Sequence, residues 1–418
     1  MSNDIRILAK NRAFVRLWCS GTISELGSAV TIVALPLVAV VYLHFSTLEV
    51  GLLASVSDLP WLLLGLHAGA IVERLPKRPV MVIGDIGRAA LLLSIPVAAA
   101  LHFLGAVQMF VVCGVSGTLT VFFEVAYGTR IPAVVPKDQL NLANGRTTAT
   151  DTAAGLFGRS IGGYLAELVT APVALVLDAL SFLLSALLLS GEDLTEEARN
   201  PRPRKNLSSD IKEGMRFIFE NPSLRSLTIE AASFNILMAA QQALSLIFIV
   251  RILHVASQEA GLFLAVPGIA GVVGGIVAPR LCSAFGDGTV LRWGLLVGAG
   301  SGVLVPLAGS GIWSLLYAVG AFGLGLGTVL SNVVTSSFKQ IACPPWLRAR
   351  TRASTRVFTW GSRPIGSILG GTAGTLIGCR SALWLIAIGF LLTPGWLMRS
   401  PVWKISSLSS LHEFSKDG

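Results

Sequence analysis

The chain has 418 residues, of which 53% are apolar and only 13% charged, and its mean hydropathy is +0.72. A soluble domain carries about 25% charged residues to cover its water-facing surface, so this composition excludes a string of ordinary soluble domains and leaves an integral membrane protein. The excess of 32 Lys+Arg over 23 Asp+Glu, a net charge of +9, is spread between apolar runs, which reads as a topology signal and excludes nucleic acid as a partner.

The basic N-terminal stretch runs straight into a first apolar run too long for a signal-peptide core, so that run is expected to be retained. Spans are expected at 14–42, 48–72, 79–101, 107–130, 145–169, 171–190, 227–250, 257–280, 290–308, 313–335, 353–376 and 381–398. Loops on the N-terminal side hold Arg74, Lys77, Arg78, Arg130, Lys137, Arg146, Arg280, Arg292, Lys339, Arg348 and Arg350, whereas the opposite loops hold Arg251 and Arg380. By the positive-inside rule both termini are cytoplasmic. The expected fold is all-α, with twelve transmembrane helices in two six-helix, pseudo-symmetric halves. One half covers 1–190 and the other 227–400. A polar linker at 191–226 separates them, and a tail follows at 401–418. Within the linker, Ile211, Met215, Ile218 and Phe219 share one helical face, which suits a tether lying on the inner leaflet.

Two short matches suggest an internal repeat. Gly158-Arg-Ser-Ile-Gly162 aligns with Ser362-Arg-Pro-Ile-Gly366, and Gly69-Ala-Ile-Val-Glu-Arg74 aligns with Gly275-Ile-Val-Ala-Pro-Arg280. In this register Arg363 is the counterpart of Arg159. Paired halves with a substrate site between them are the architecture of many secondary transporters.

The loop after the second span reads Gly69-Ala-Ile-Val-Glu73-Arg74-Leu-Pro76-Lys77-Arg78. It resembles the loop signature of the major facilitator superfamily, with Glu73 in place of the usual Asp and Pro76 in place of the usual Gly. Asp85-Ile-Gly-Arg88, Val125-Ala-Tyr127, Ile131-Pro132, Leu140, Ala143-Asn144, Leu177-Asp-Ala-Leu-Ser-Phe182 and the Trp360–Gly371 stretch resemble the drug:proton antiporter branch that includes macrolide efflux pumps and the enterobactin exporter. The resemblance implies that Gly69, Glu73, Arg74, Lys77 and Arg78 form a cytoplasmic latch. Asp85 and Arg88 can pair within their own helix and support it. Gly69 is expected to permit a close helix approach.

Ionisable groups inside spans cost about 2.5–3.5 kcal/mol on insertion scales and ask for an explanation. Glu25 shares a face with Gly21 and Ser28, and serves either as a proton or substrate site or as a structural hydrogen-bonding group. Glu124 either relays protonation to the latch or forms a fixed salt bridge. Asp151 and Arg159 share a face of the fifth span, about 12 Å apart along a helix, too far to pair unaided. Arg159 replaces the proline of the branch's Gly-Pro-x-x-Gly-Gly signature, and can answer Glu25, hold an anionic substrate or neutralise Asp151. Asp178 is expected to be structural. In the second half Asn235, Gln241, Gln242, Trp360 and Arg363 are candidate cavity residues.

No phosphate-binding loop, HExxH or GxSxG occurs, the histidines are scattered, and the five cysteines form no CxxC pair, so neither enzyme activity nor a cofactor or metal is expected. The reading is an exporter of an amphipathic small molecule by proton antiport, with Glu25, Asp151 and Glu124 as the coupling carboxylates. The alternative is a proton-independent facilitator or importer with Arg159 and Arg363 as clamps. The partners are protons, the small-molecule substrate and the lipid bilayer. A twelve-span chain encloses a site as a monomer.

Overall fold

The computed structural model describes residues 11–136, 139–168, 170–191, 207–343 and 348–404. All regular structure among these residues is helical. Helices stand at all twelve expected positions: α1 (Arg12–Leu37), α2 (Thr47–Arg74), α3 (Lys77–Ala100), α4 (Ala106–Val134), α5 (Leu140–Leu168) and α6 (Ala171–Ser190). The linker forms α7 (Leu207–Glu220). Then come α8 (Pro222–Ile247), α9 (Ser257–Phe285), α10 (Asp287–Gly302), α11 (Leu315–Ala342), α12 (Arg348–Gly361), α13 (Arg363–Leu376) and α14 (Cys379–Leu392). The tail beyond residue 404 lies outside the described residues.

Two compact units divide these helices. Unit 1 takes the described parts of Met1–Phe45, Val56–Arg204 and Ala256–Ala265, and unit 2 those of Ser46–Ser55, Lys205–Val255 and Val266–Gly418. In unit 1 the side chains of Phe14, Leu17, Met81 and Leu189 belong to one apolar cluster. In unit 2 Leu224, Leu227, Leu291 and Leu397 form the matching one. In hydrocarbon, lipid tails offer as good an apolar environment as leucine, so these clusters hold by close packing rather than by withdrawal from water.

The repeat is real, but its register differs from the expected one. Asn11 caps α1 by accepting from the Phe14 amide, and Asn221 caps α8 by accepting from the Ser223 and Leu224 amides. Each cap starts a helix of 26 residues that ends in a five-residue π-helical turn, Val38–Tyr42 in one case and Phe248–Ile252 in the other. His44 and His254 follow, both at φ 55. This left-handed backbone costs a non-glycine residue about 1–2 kcal/mol, and the same pair of bonds holds it in each unit. Leu43 and Phe45 donate to Val38 and Ala39, as Leu253 and Val255 donate to Phe248 and Ile249. The spacing from Asn11 to Asn221 and from His44 to His254 is 210 positions.

Across the later helices the spacing is 208, from Leu140 to Arg348 and from Thr170 to Gly378, the two positive-φ residues that open the sixth and twelfth spans. Arg159 therefore corresponds to Ser367, and Arg363 to Gly155. The alignment that pairs the two arginines is four residues out, because both glycine motifs contain an Arg. The glycines that match are Gly158 with Gly366 and Gly162 with Gly370, and their surroundings match too. A Cβ on Gly158 would lie 2.6 Å from the Leu26 carbonyl oxygen, and one on Gly162 2.9 Å from Val30 Cα. On Gly366 it would meet the Ile236 carbonyl and on Gly370 it would lie 2.7 Å from Ala240 Cα.

Ten helices among the described residues are long and apolar enough to cross a membrane. The two positions outside that set are α5 and the α12–α13 pair, the spans that carry Asp151, Arg159 and Arg363. Their glycines lay them directly against α1 and α8. The eleventh span is expected to be continuous but is interrupted at Ser362, with Pro364 in the first turn of α13; proline removes a backbone donor and crowds the preceding turn. Several basic residues expected in loops lie within helices that outrun the apolar stretch, among them Arg130, Arg146, Arg280, Arg292, Lys339, Arg348 and Arg350. Lys137 lies outside the described residues. The linker helix α7 packs on unit 2: Ile218 is buried in its core, and Phe219 meets Phe358 edge-on at 5.5 Å.

The corrected register makes a symmetric prediction. Gly158→Val and Gly366→Val should each destabilise the detergent-purified protein by about 1–3 kcal/mol, the usual cost of overpacking, read as a lower melting temperature. Gly155→Ala, with nothing within 4 Å of its Cβ position, should melt like the wild type.

Candidate functional site

In unit 1, Glu25 is half-buried on α1 beside the buried Ser24. A Cβ on Gly21, one turn earlier, would lie 2.5 Å from Tyr127 Oη, so the tyrosine fills the space that glycine leaves. The charges that Glu25 feels are those of Asp151, Glu124, Arg159 and Asp178. Three helices, α1, α4 and α5, thus bring the three candidate coupling carboxylates and one guanidinium into one electrostatic neighbourhood. Arg159 donates from Nη1 to the Leu264 carbonyl at 3.3 Å. Beneath the group, Trp18 Nε1 donates to Thr150 Oγ1 at 3.0 Å, and Arg146 lies 4.5 Å from the Trp18 ring centre.

Asp178 stands apart in role. It accepts from the hydroxyls of Thr31 and Ser181 and is buried, which satisfies a carboxylate and ties α6 to α1.

Unit 2 contains a cavity of about 1070 Å³. Asn235, Gln242, Trp360 and Arg363 line it. Arg363 donates from Nη2 to Gln242 Oε1 at 3.2 Å, and its guanidinium lies 5.8 Å from the Trp360 ring centre. Gln241 is buried and points elsewhere on α8, and Arg159 belongs to unit 1; neither lines this cavity. Two charged residues that the sequence reading did not single out do line it, Glu230 and Lys339. So do Thr351, Thr355 and Thr359, spaced one turn apart on α12. The signal was present as a four-residue hydroxyl spacing, but it crosses the start of the expected span at 353–376, with Thr351 in the arginine-rich stretch before it. Lys339 was hidden because α11 extends past its apolar part.

The model of the Major Facilitator Superfamily matches residues 17–359. The chain belongs to that superfamily. It is therefore a multi-pass membrane transporter and not an enzyme. It is 24% identical over 385 residues to an uncharacterized MFS-type transporter, YfiS, of Bacillus subtilis (strain 168), covering 90% of each chain. It is 26% identical over 380 residues to the multidrug efflux pump Tap of Mycolicibacterium fortuitum, covering 88% of this chain and 90% of Tap. Among solved structures, the nucleoside transporter NupG superposes with a TM-score of 0.74 at 14% identity, covering 92% of this chain and 98% of that one. A bacterial homologue of the iron transporter ferroportin in an inward-facing state gives 0.67 at 16%, covering 93% and 99%. At such identities the structural likeness speaks for the superfamily fold alone.

The superfamily's loop motif lies at the end of α2 and the start of α3. Arg74 is exposed, Lys77 Nζ donates to the Leu75 carbonyl at 2.7 Å, and Arg78 donates to the Ser190 carbonyl at the end of α6. The side chain of Glu73 is not among those described. Gly69 is not at a close helix approach, since nothing lies within 4 Å of its Cβ position. The close contact on this helix is made by Gly51, whose Cβ would lie 2.8 Å from Gly371 Cα.

Asp85 and Arg88 pair within α3, away from the loop and almost fully buried. The guanidinium lies 4.4 Å from the Phe123 ring centre and 4.1 Å from that of Phe182, clamped between α4 and α6. A buried pair loses about 3–5 kcal/mol when one partner is removed, because the other charge is left uncompensated, yet replacing both by apolar groups is often neutral. Arg88→Met alone should therefore lower the melting temperature sharply, and Asp85→Leu/Arg88→Met should recover most of it.

Proposed function

We propose that the protein is a proton-driven exporter of amphipathic small molecules, of the drug:proton antiporter branch, working as a monomer in the plasma membrane with both termini cytoplasmic. The observation that carries this reading is the unit 1 cluster. Glu25, Asp151 and Glu124 share an electrostatic neighbourhood with Arg159 inside the membrane-spanning part of the chain. Intramembrane carboxylates are rare and costly, and mark proton paths in pumps and transporters. A proton taken up by Glu25 on α1 changes the charge felt by Glu124 on α4 and by Asp151 and Arg159 on α5. That change can bias alternating access only if the two conformations bind the proton with different affinity. Placement of the carboxylates where helices meet gives such a difference a physical basis.

Export is favoured by the similarity to Tap, a protein named as a multidrug efflux pump. The facilitator reading would use Arg159 and Arg363 as anion clamps. Arg159 donates to the Leu264 carbonyl and Arg363 to Gln242 Oε1, and a superfamily fold shared with a nucleoside transporter does not by itself favour import. The latch of Arg74, Lys77 and Arg78 would hold the cytoplasmic end through anionic lipid and acidic partners.

Everted membrane vesicles test this with ethidium and a panel of amphipathic drugs. A pH gradient should drive uptake by the wild type, and Glu25→Gln should reduce that uptake to the level of vesicles lacking the protein. Wild-type transport that survives collapse of the gradient, or full gradient-driven transport by Glu25→Gln, would sink the antiport reading.

A further inference from the structure

One phenol in unit 1 touches, or lies one turn along a helix from, every carboxylate of the coupling cluster. Tyr127 follows Glu124 by three residues on α4. Its Oη occupies the notch left by Gly21, four residues before Glu25 on α1, where a Cβ would lie 2.5 Å from it. The Thr147 side chain, four residues before Asp151 on α5, stands within hydrogen-bonding reach of the same hydroxyl. Thr147 donates its own proton to the Ala143 carbonyl at 3.1 Å, so toward Tyr127 it can only accept. Tyr127 therefore reaches from α4 to both α1 and α5, among the turns that carry the carboxylates.

The ring is also held along its own helix. It stacks on Phe123, with centroids 6.0 Å apart and planes at 13°, and the Arg88 guanidinium of α3 lies 4.4 Å from the Phe123 centroid. A phenol fixed by its ring and met by α1 and α5 at its hydroxyl limits how those two helices can shift against each other. The attraction or repulsion between charges depends on their separation, so this limit acts on the field that Glu25 and Asp151 exert on one another. The charges around Glu25 are Asp151 and Arg159 from α5, Glu124 from α4 and Asp178 from α6, and the titratable groups that act on the phenol are Asp151, Cys19 and Glu25.

We infer that Tyr127 is a positioning residue for the coupling carboxylates. It sets the placement of Glu25 against Asp151 through Gly21 and Thr147, and thereby how strongly a proton held there is linked to bound cargo. The inference deepens the exporter reading and rests on its proton linkage.

The linkage is read without a gradient from ethidium binding to full-length protein in detergent, followed by fluorescence anisotropy at acid and at alkaline pH. Wild type should bind more tightly at alkaline pH, where the cluster has lost its proton, and Glu25→Gln should bind alike at both. Tyr127→Phe, Gly21→Ala and Thr147→Val leave the charge of the cluster unchanged. Each should nevertheless shrink the wild-type ratio of affinities by about twofold or more, the scale on which residues that touch neither ligand modulate coupling. Thr147→Ser, which keeps the acceptor, should hold the wild-type ratio. The three atoms nearest a Cβ at position 21 all belong to Tyr127, so Gly21→Ala should have no further effect in a Tyr127→Ala protein. Melting curves identify variants that fail to fold, and the substitutions at 21, 127 and 147 report independently. A wild-type ratio in folded Tyr127→Phe and Gly21→Ala overturns the inference and leaves the antiport reading standing. So does a Gly21→Ala effect of equal size with and without the tyrosine. A wild type that binds ethidium equally at both pH values, or binds no drug of the panel, removes the proton linkage itself and with it both readings.

Discussion

An ionisable side chain in the hydrocarbon layer costs about 2.5–3.5 kcal/mol on insertion scales, and this chain places several of them well inside its spans. Each must find protein, water or a partner charge, and the helix packing follows from that requirement. The most polar spans, α5 and α12–α13, are laid directly against α1 and α8. Gly158, Gly162, Gly366 and Gly370 bring the backbones close enough that a Cβ would collide. Small residues at the contact let polar helices pack inward by backbone proximity, where lipid gives no hydrophobic drive. The remaining charges meet three different ends. Asp85 and Arg88 neutralise each other between two aromatic rings, Asp178 is satisfied by hydroxyls, and Glu25 and Glu230 are left facing polar surroundings.

The internal repeat shows how one framework can carry two unlike sites. At the 210-position spacing Glu25 corresponds to Asn235, so the coupling carboxylate of unit 1 has an uncharged amide as its counterpart in unit 2. Glu230 corresponds to Ser20, a fully buried hydroxyl bonded to its own helix. The caps, π-helical turns and left-handed histidines are kept in both units, while the charged positions have diverged.

Much of the fold could be read from hydropathy, because ten of the described helices are long and apolar enough to cross a membrane. Helix ends were harder. Apolar content marks where a helix meets lipid, whereas α11 and α12 continue as polar helices, and this hid Lys339 and Thr351, the first member of the Thr351, Thr355 and Thr359 ladder. The repeat was legible in kind but not in register. The eye is drawn to the matching arginines, Arg159 and Arg363, whereas packing keeps the glycines. Asn11 with Asn221, and Leu43-His44 with Leu253-His254, stand 210 apart and would have fixed the register. For the site, residue type and helical face were enough to single out Glu25, Asp151 and Glu124, and Asn235, Gln242, Trp360 and Arg363. Gln241 differs from Gln242 by one position on α8, a rotation of about 100° that sequence spacing does not resolve without knowing which face is packed.

The central claim is that binding of cargo and loss of a proton from the Glu25 cluster are linked. Proton release on adding ethidium to unbuffered, detergent-solubilised protein tests it most directly, since it needs neither a membrane nor a direction of transport. The account predicts release by the wild type and none by Glu25→Gln at saturating ethidium. Equal release by both proteins, or none by a wild type that demonstrably binds ethidium, would contradict it.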